Sequence, residues 1–299
     1  MLAIQPYRNG NLACGEVVFA TYLKWKKKSH ELMFENSWGR EFLYPDTPIA
    51  ETALKKYYDM NLVWKDITYE GLTKDSMLMR ISKPLALAID LEDADWIDSA
   101  YTRTFPIHCI MAIGKKNKED FISLDPTFSE VTVEYTARNR QARYTVLDNM
   151  ECRDQDKEFI IGELRITVQQ RNESALFQKI DQYSSSLIAD LKENEIGISY
   201  ASLLANPNLY RLNRIYRDLL NYADMLRYIS RTTKQDVMEF VPAVCERAKN
   251  WESIRNAVTK YFCIGNQRIL LEIEREIKKE AVEEKKLCEK MTRHLSNIL

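Results

Sequence analysis

The spacing of apolar residues changes once along this chain, near residue 170, from strand-like runs and alternation to the 3.6-residue period of helices. Strand and helix signals that are grouped in this way point to an α+β unit followed by a helical one. Before the change, "KPLALAID" (83–90) and "PIHCIMAIG" (106–114) are apolar runs of strand length, as expected of strands buried on both faces. "DFISLD" (120–125), "SEVTVEY" (129–135), "RYTVLD" (143–148) and "EFIIGELRITV" (158–168) add further strand signals. Two helices are predicted among them. One covers Val17, Val18 and Leu23 and closes on Lys26-Lys27-Lys28, and the other runs over "TPIAETALKKYYDMNLVW" from about Thr47.

After the change, Leu176, Ile180, Tyr183, Leu187 and Leu191 form one helical stripe. Leu209, Leu212, Tyr216, Leu219, Ala223 and Leu226 form a second. Leu270, Ile273, Ile277, Ala281, Cys288, Met291, Leu295 and Ile298 form a third, with one charged gap at Glu284. "ENEIGISYASLLANPN" reads as a connection between two helices. The expected organisation is an α+β unit of catalytic type over residues 1–170, followed by an all-helical unit over 171–299.

Composition narrows the function classes. Forty-three basic and forty-four acidic side chains leave a net charge of -1, so no global field draws the chain to nucleic acid or to an anionic membrane. The first residues, "MLAIQPYRNG", lack a cationic start followed by an apolar run, and no apolar stretch approaches the length of a membrane span. The six cysteines (14, 109, 152, 245, 263 and 288) have neither zinc-type nor redox-type spacing. A reduced, cytoplasmic protein without a metal or cofactor is expected.

Candidate chemistry starts at "NLACGEVVFATYLKW" (11–25). With Asn11 as N-cap, Cys14 falls in the first helical turn, where free N–H groups and the helix dipole favour thiolate over thiol. Gly15 beside it lets a substrate approach the backbone. The same cysteine would also serve as an ordinary core residue. Of the three histidines, His30 and His294 lie in polar stretches, whereas His108 lies inside an apolar strand pattern. "GKKNKE" (114–119) reads as a hairpin connection, and pairing Ile113 with Asp120 across it sets His108 opposite Asp125. A carboxylate there would hold one imidazole nitrogen as N–H and leave the other as a base. A slip of one residue would put the two side chains on opposite faces. Asp125 alone would equally suit a turn at "DPT".

The order Cys–His–Asp resembles papain-like cysteine enzymes. "ACGEVVFA", "HCIMAIG" and "ISLDP" are similar to the motifs of bacteriocin-processing cysteine peptidases. "PLALAID", the aromatic-containing loop "DADWIDSAYTRTF" and the histidine strand, with a helical C-terminal portion, resemble the butirosin biosynthesis protein H family of acyltransferases. The resemblance implies a papain-like core, a Cys-bearing helix packed on an antiparallel sheet. It implies Cys14 as nucleophile, His108 as base and Asp125 as orienter.

It further implies an acyl or peptidyl carrier protein as donor, its phosphopantetheine arm being part of the substrate, and a small-molecule amine as acceptor in natural-product biosynthesis. Two departures bear on proteolysis. Glu16 stands where the peptidases carry proline, and Arg8 stands where they carry an oxyanion-hole glutamine, leaving Gln5, Asn9 or Asn11 with the Cys14 N–H as substitutes. A cysteine hydrolase, either peptidase or thioesterase, and a non-catalytic scaffold of the same fold are the alternative expectations. The helical half would shape the acceptor pocket, dock the carrier or form a homodimer. "DLEDADW" (90–96) is either an acidic surface loop or a seat for a polycationic acceptor.

Overall fold

A computed structural model describes residues 1–44, 49–68, 71–72, 75, 78, 80–97, 107–129, 131–136, 142–148, 156–193, 203 and 206–298. The chain divides into two compact units. The first comprises Met1–His30 and Ala50–Arg153, and the second comprises Glu31–Ile49 and Asp154–Leu299. This division is not the cut at residue 170: the second unit begins earlier in the sequence and also takes a segment from the N-terminal third.

The first unit contains helix α1 (Cys14–Trp25), all of α3 (Ile49–Tyr58) from Ala50 on, a short 3₁₀ turn (Leu91–Asp93) and strands β1 (Lys65–Ile67), β2 (Leu85–Asp90), β3 (Ile107–Lys115), β4 (Asp120–Leu124), β5 (Thr132–Thr136) and β6 (Ala142–Val146). The strands form one antiparallel sheet in the order β1-β6-β2-β3-β4-β5, with α1 packed against β3 and β2. α3 stops at Tyr58 rather than continuing toward Trp64, and Asp59 follows it with φ 50. Alternate residues of the sheet build one core face. Leu85, Leu87 and Ile89 of β2 join Ile110 and Ala112 of β3, Phe121 of β4, Tyr135 of β5 and Tyr144 of β6.

The β3–β4 register differs from the expected one in a way that decides the site. Asn117 accepts from the N–H groups of Glu119 and Asp120, both at 2.9 Å, and tightens the turn so that β3 runs on to Lys115. Lys115 and Gly114 pair with Phe121 and Ile122, and then the register shifts, so that Ala112 and Met111 pair with Ser123 and Leu124. Ile113 is the extra, bulged residue. Without the bulge the first register would carry Asp125 to Met111, on the opposite face from His108. With it Asp125 falls beside Ile110, two residues from His108 and on the same face. Direct opposition of His108 and Asp125 is therefore corrected to a diagonal relation. The N-terminal segment crosses here: Leu2 N–H donates to the Ile113 carbonyl at 2.8 Å. Gly114 permits that approach, since a Cβ there would lie 3.1 Å from the Met1 Cα.

Among the described residues, the second unit contains α2 (Arg40–Leu43) and five long helices: α4 (Lys157–Glu173), α5 (Leu176–Glu193), α6 (Pro207–Thr233), α7 (Val241–Ile264) and α8 (Gln267–Ser296). α4 corrects the strand expected at 158–168. Its Ile, Thr and Val residues favour strands, but Ile160, Ile161, Leu164, Thr167, Val168 and Arg171 are buried at helical spacing. Asp156 caps the helix through the Glu158 N–H at 3.2 Å. All five residues of the first predicted stripe are buried along α5. The connection expected at 193–208 falls mostly outside the described residues.

The charged gap on α8 is filled. Glu284 is buried and accepts from the indole N–H groups of Trp38 and Trp251, both at 2.6 Å. Trp38 belongs to the 31–49 segment, which Gly39 turns at φ 84. Among the described residues, no helix is long and apolar enough to cross a membrane.

Candidate active site

Cys14 is the first residue of α1. The cap is Ala13, not Asn11, because the Val17 N–H closes the first helical turn onto the Ala13 carbonyl at 2.9 Å. Alanine has no capping oxygen, and the Glu16 carboxylate compensates by accepting from the Ala13 N–H at 2.8 Å. The glutamate that replaces proline after Cys-Gly thus holds the turn bearing the cysteine. The N–H groups of Cys14 and Gly15 precede the first intrahelical bond and belong to the positive end of the helix dipole.

The structure brings His108 and Asp125 to the same place. His108 Nε2 lies 2.9 Å from Asp125 Oδ2, and both side chains are buried. With Nε2 committed to the carboxylate, Nδ1 is the nitrogen left for the Cys14 thiol, which lies near enough to favour the charged imidazole. The Phe128 ring packs against the imidazole with centroids 5.2 Å apart.

Asp125 also makes the turn that its position before Pro126 suggests: Oδ1 accepts from the N–H groups of Thr127 at 3.0 Å and Phe128 at 3.2 Å. One oxygen therefore faces the imidazole while the other makes the turn. A fourth donor, the Trp96 indole N–H, reaches Oδ2 at 2.8 Å. Reading residue spacing does not find Trp96 as a partner of Asp125. Its only sequence signal is its place in the aromatic-containing loop, most of which, from residue 98 to 105, lies outside the described residues.

Burial opposes charge on His108, but Asp125 and Cys14 outweigh it and raise its pKa from 6.5 to about 9. Burial likewise works against the Asp125 anion, and His108, Trp96 and the Phe128 N–H prevail and lower its pKa. The neighbouring Cys109 is buried, which together with Cys14 and nearby carboxylates pushes its thiol well up. Cys109 thus stays protonated, whereas Cys14 is only half-buried.

A folded-state pKa above the unfolded value stabilises the fold fully below the unfolded pKa, and that stability is lost as pH rises through the folded one. We expect wild type to lose about 3 kcal/mol more than His108→Gln between about pH 6 and about pH 10 in denaturant titrations. Parallel losses in the two proteins would show that His108 carries no such charge.

Of the other expected site residues, Gln5 is exposed. Asn11 is half-buried, with its N–H donated to Asn9 Oδ1 at 2.9 Å. "DLEDADW" opens with Asp90 capping a short 3₁₀ turn through the Glu92 N–H at 2.9 Å. No group of three or more His, Cys, Asp or Glu side chains among the described residues is placed to hold a metal ion. Compared with known proteins, the chain matches no family model and no curated protein.

Proposed function

We propose that this chain is a cysteine-dependent acyltransferase of the papain-like type, acting on a thioester carried by an acyl or peptidyl carrier protein. The observation that carries the reading is the junction of Cys14, at the N-terminus of a helix, with an imidazole whose other nitrogen is held by a buried carboxylate. An imidazole that keeps its proton to about pH 9 supports a group that can donate to and accept from the reacting atoms at Cys14.

In this reading the Cys14 thiolate attacks the thioester carbonyl carbon. The resulting oxyanion is met by the Cys14 N–H, with the carboxamide of Gln5 or Asn11 as the second donor. Collapse breaks the C–S bond to the phosphopantetheine arm, and the departing sulfur takes the proton from His108. An amine then attacks the acyl-cysteine, giving its proton to His108, and collapse returns Cys14 as thiolate. Thioester exchange is nearly isoenergetic, so the protein supplies chiefly positioning and charge stabilisation.

Intact-mass spectrometry tests this after incubation with a panel of acyl-thioesters, both free and carrier-bound. The expected result is one acyl adduct on wild type, absent from Cys14→Ala, that is discharged by amines faster than by water. Discharge by water alone would make the protein a hydrolase. No adduct from any donor, together with no preference of a thiol alkylator for Cys14, would leave a non-catalytic scaffold.

A further inference from the structure

We infer that Trp96 is a positioning residue of this site, its indole N–H fixing the plane of the Asp125 carboxylate so that Oδ2 addresses His108. The inference rests on the reading of Cys14 as nucleophile and adds a component that the Cys–His–Asp order does not contain. A carboxylate offers roughly four acceptor sites. In Asp125 four donors occupy them: the Thr127 and Phe128 N–H groups on Oδ1, and His108 Nε2 and Trp96 Nε1 on Oδ2. The three partners other than Trp96 come from β3 or from the turn that Asp125 itself opens. Trp96 comes from the segment after β2, so it ties the carboxylate to a separate part of the chain.

Two consequences follow from a carboxylate filled in this way. It cannot tilt without breaking a hydrogen bond, which keeps Nε2 engaged and Nδ1 turned to Cys14. It also cannot accept a proton without displacing a donor, so it remains an anion while His108 gains and loses its proton. Removing the indole N–H opens one acceptor site on the oxygen that holds His108, so that Asp125 protonates at higher pH. The titratable groups around it are His108, the protonated Cys109 and, beyond the imidazole, Cys14. The segment of Trp96 itself also carries Asp90, Glu92 and Asp95, the last two exposed.

The test is the rate of Cys14 alkylation by iodoacetamide, read by peptide mass spectrometry from about pH 4 to about pH 10, in wild type and Trp96→Phe. The expected result is an acid limb moved up by about one pH unit in the variant. Alkylation would then be about 10-fold slower on the acid side and within about 2-fold of wild type near pH 8. A residue that only packs would lower the rate at every pH without moving the limb, and superimposable limbs overturn the inference. If wild-type Cys14 reacts no faster than the exposed Cys263, the nucleophile reading fails first, and that outcome is distinct from an unmoved limb.

A second measurement uses the wild-type protein. The indole N–H resonance that is missing in Trp96→Phe should move with pH as His108 titrates, and the movement should vanish in Asp125→Ala. A resonance indifferent to pH overturns the inference even if Trp96→Phe folds poorly.

Discussion

Asp125→Asn is expected to slow acylation of Cys14 by about 10³-fold to 10⁴-fold, although the substitution is isosteric. An amide has one accepting side and one donating side, whereas Asp125 faces donors on both. With the new NH2 toward the turn, it meets the Thr127 and Phe128 N–H groups, which lie 3.0 Å and 3.2 Å from Oδ1. With the NH2 toward the imidazole, it meets the Trp96 indole and forces His108 to accept at Nε2. The imidazole proton then moves to Nδ1, the nitrogen needed as base toward Cys14. Either orientation leaves a buried donor unpaired, at about 1–3 kcal/mol. The rate of adduct formation, measured beside a thermal melt, checks this: a rate within about 10-fold of wild type would show that Asp125 does not set the tautomer.

Arg171→Ala is expected to destabilise the helical unit by about 3–5 kcal/mol, and Arg171→Lys to recover little of the loss. The buried guanidinium on α4 donates from Nε to the Trp38 carbonyl at 3.0 Å and from an Nη to the Glu35 carbonyl at 3.2 Å, with Tyr222 Oη 3.4 Å away. It also lies between two aromatic faces, 4.8 Å from the Trp38 centroid and 5.0 Å from the Tyr222 centroid. A lysine ammonium cannot match a planar fork set between two rings while serving two carbonyls. Truncation orphans buried carbonyls and opens a gap beside Trp38, whose indole N–H is held by Glu284. Chemical denaturation reads the effect, and a loss below about 1 kcal/mol for Arg171→Ala would mean that the 31–49 segment is held chiefly by apolar packing.

Much of the fold is legible in the sequence because burial imposes a period. The runs that became β2 to β6 and the stripes on α5, α6 and α8 are read from side-chain spacing alone. Where the reading fails, a tertiary partner outweighs a local preference. The β-branched residues at 158–168 are helical because their helical face is the buried one. The terminal helix tolerates Glu284 in its apolar stripe because two indoles meet it, and they come from residues 246 and 33 positions away in sequence. The residues of α4 pack with the helices that follow, so the second compact unit takes up the chain again at Asp154.

Residue order and periodicity yield the set of parts: a cysteine before a helix, a histidine inside a strand, an aspartate at the end of the next strand, and an α+β chain with its helices last. Their mutual geometry arises only when strands and helices pack. An alternation of period two says which residues share a face along one strand but leaves open the register against its neighbour, and one extra residue inverts the relation. Here Ile113 is that residue. The tight Asn117 turn and the N-terminal backbone passing over Gly114 accompany its bulge, and the result is Asp125 on the side of His108. Trp96 was beyond reach for a related reason: a hydrogen bond between segments far apart in sequence leaves no period for a sequence to display.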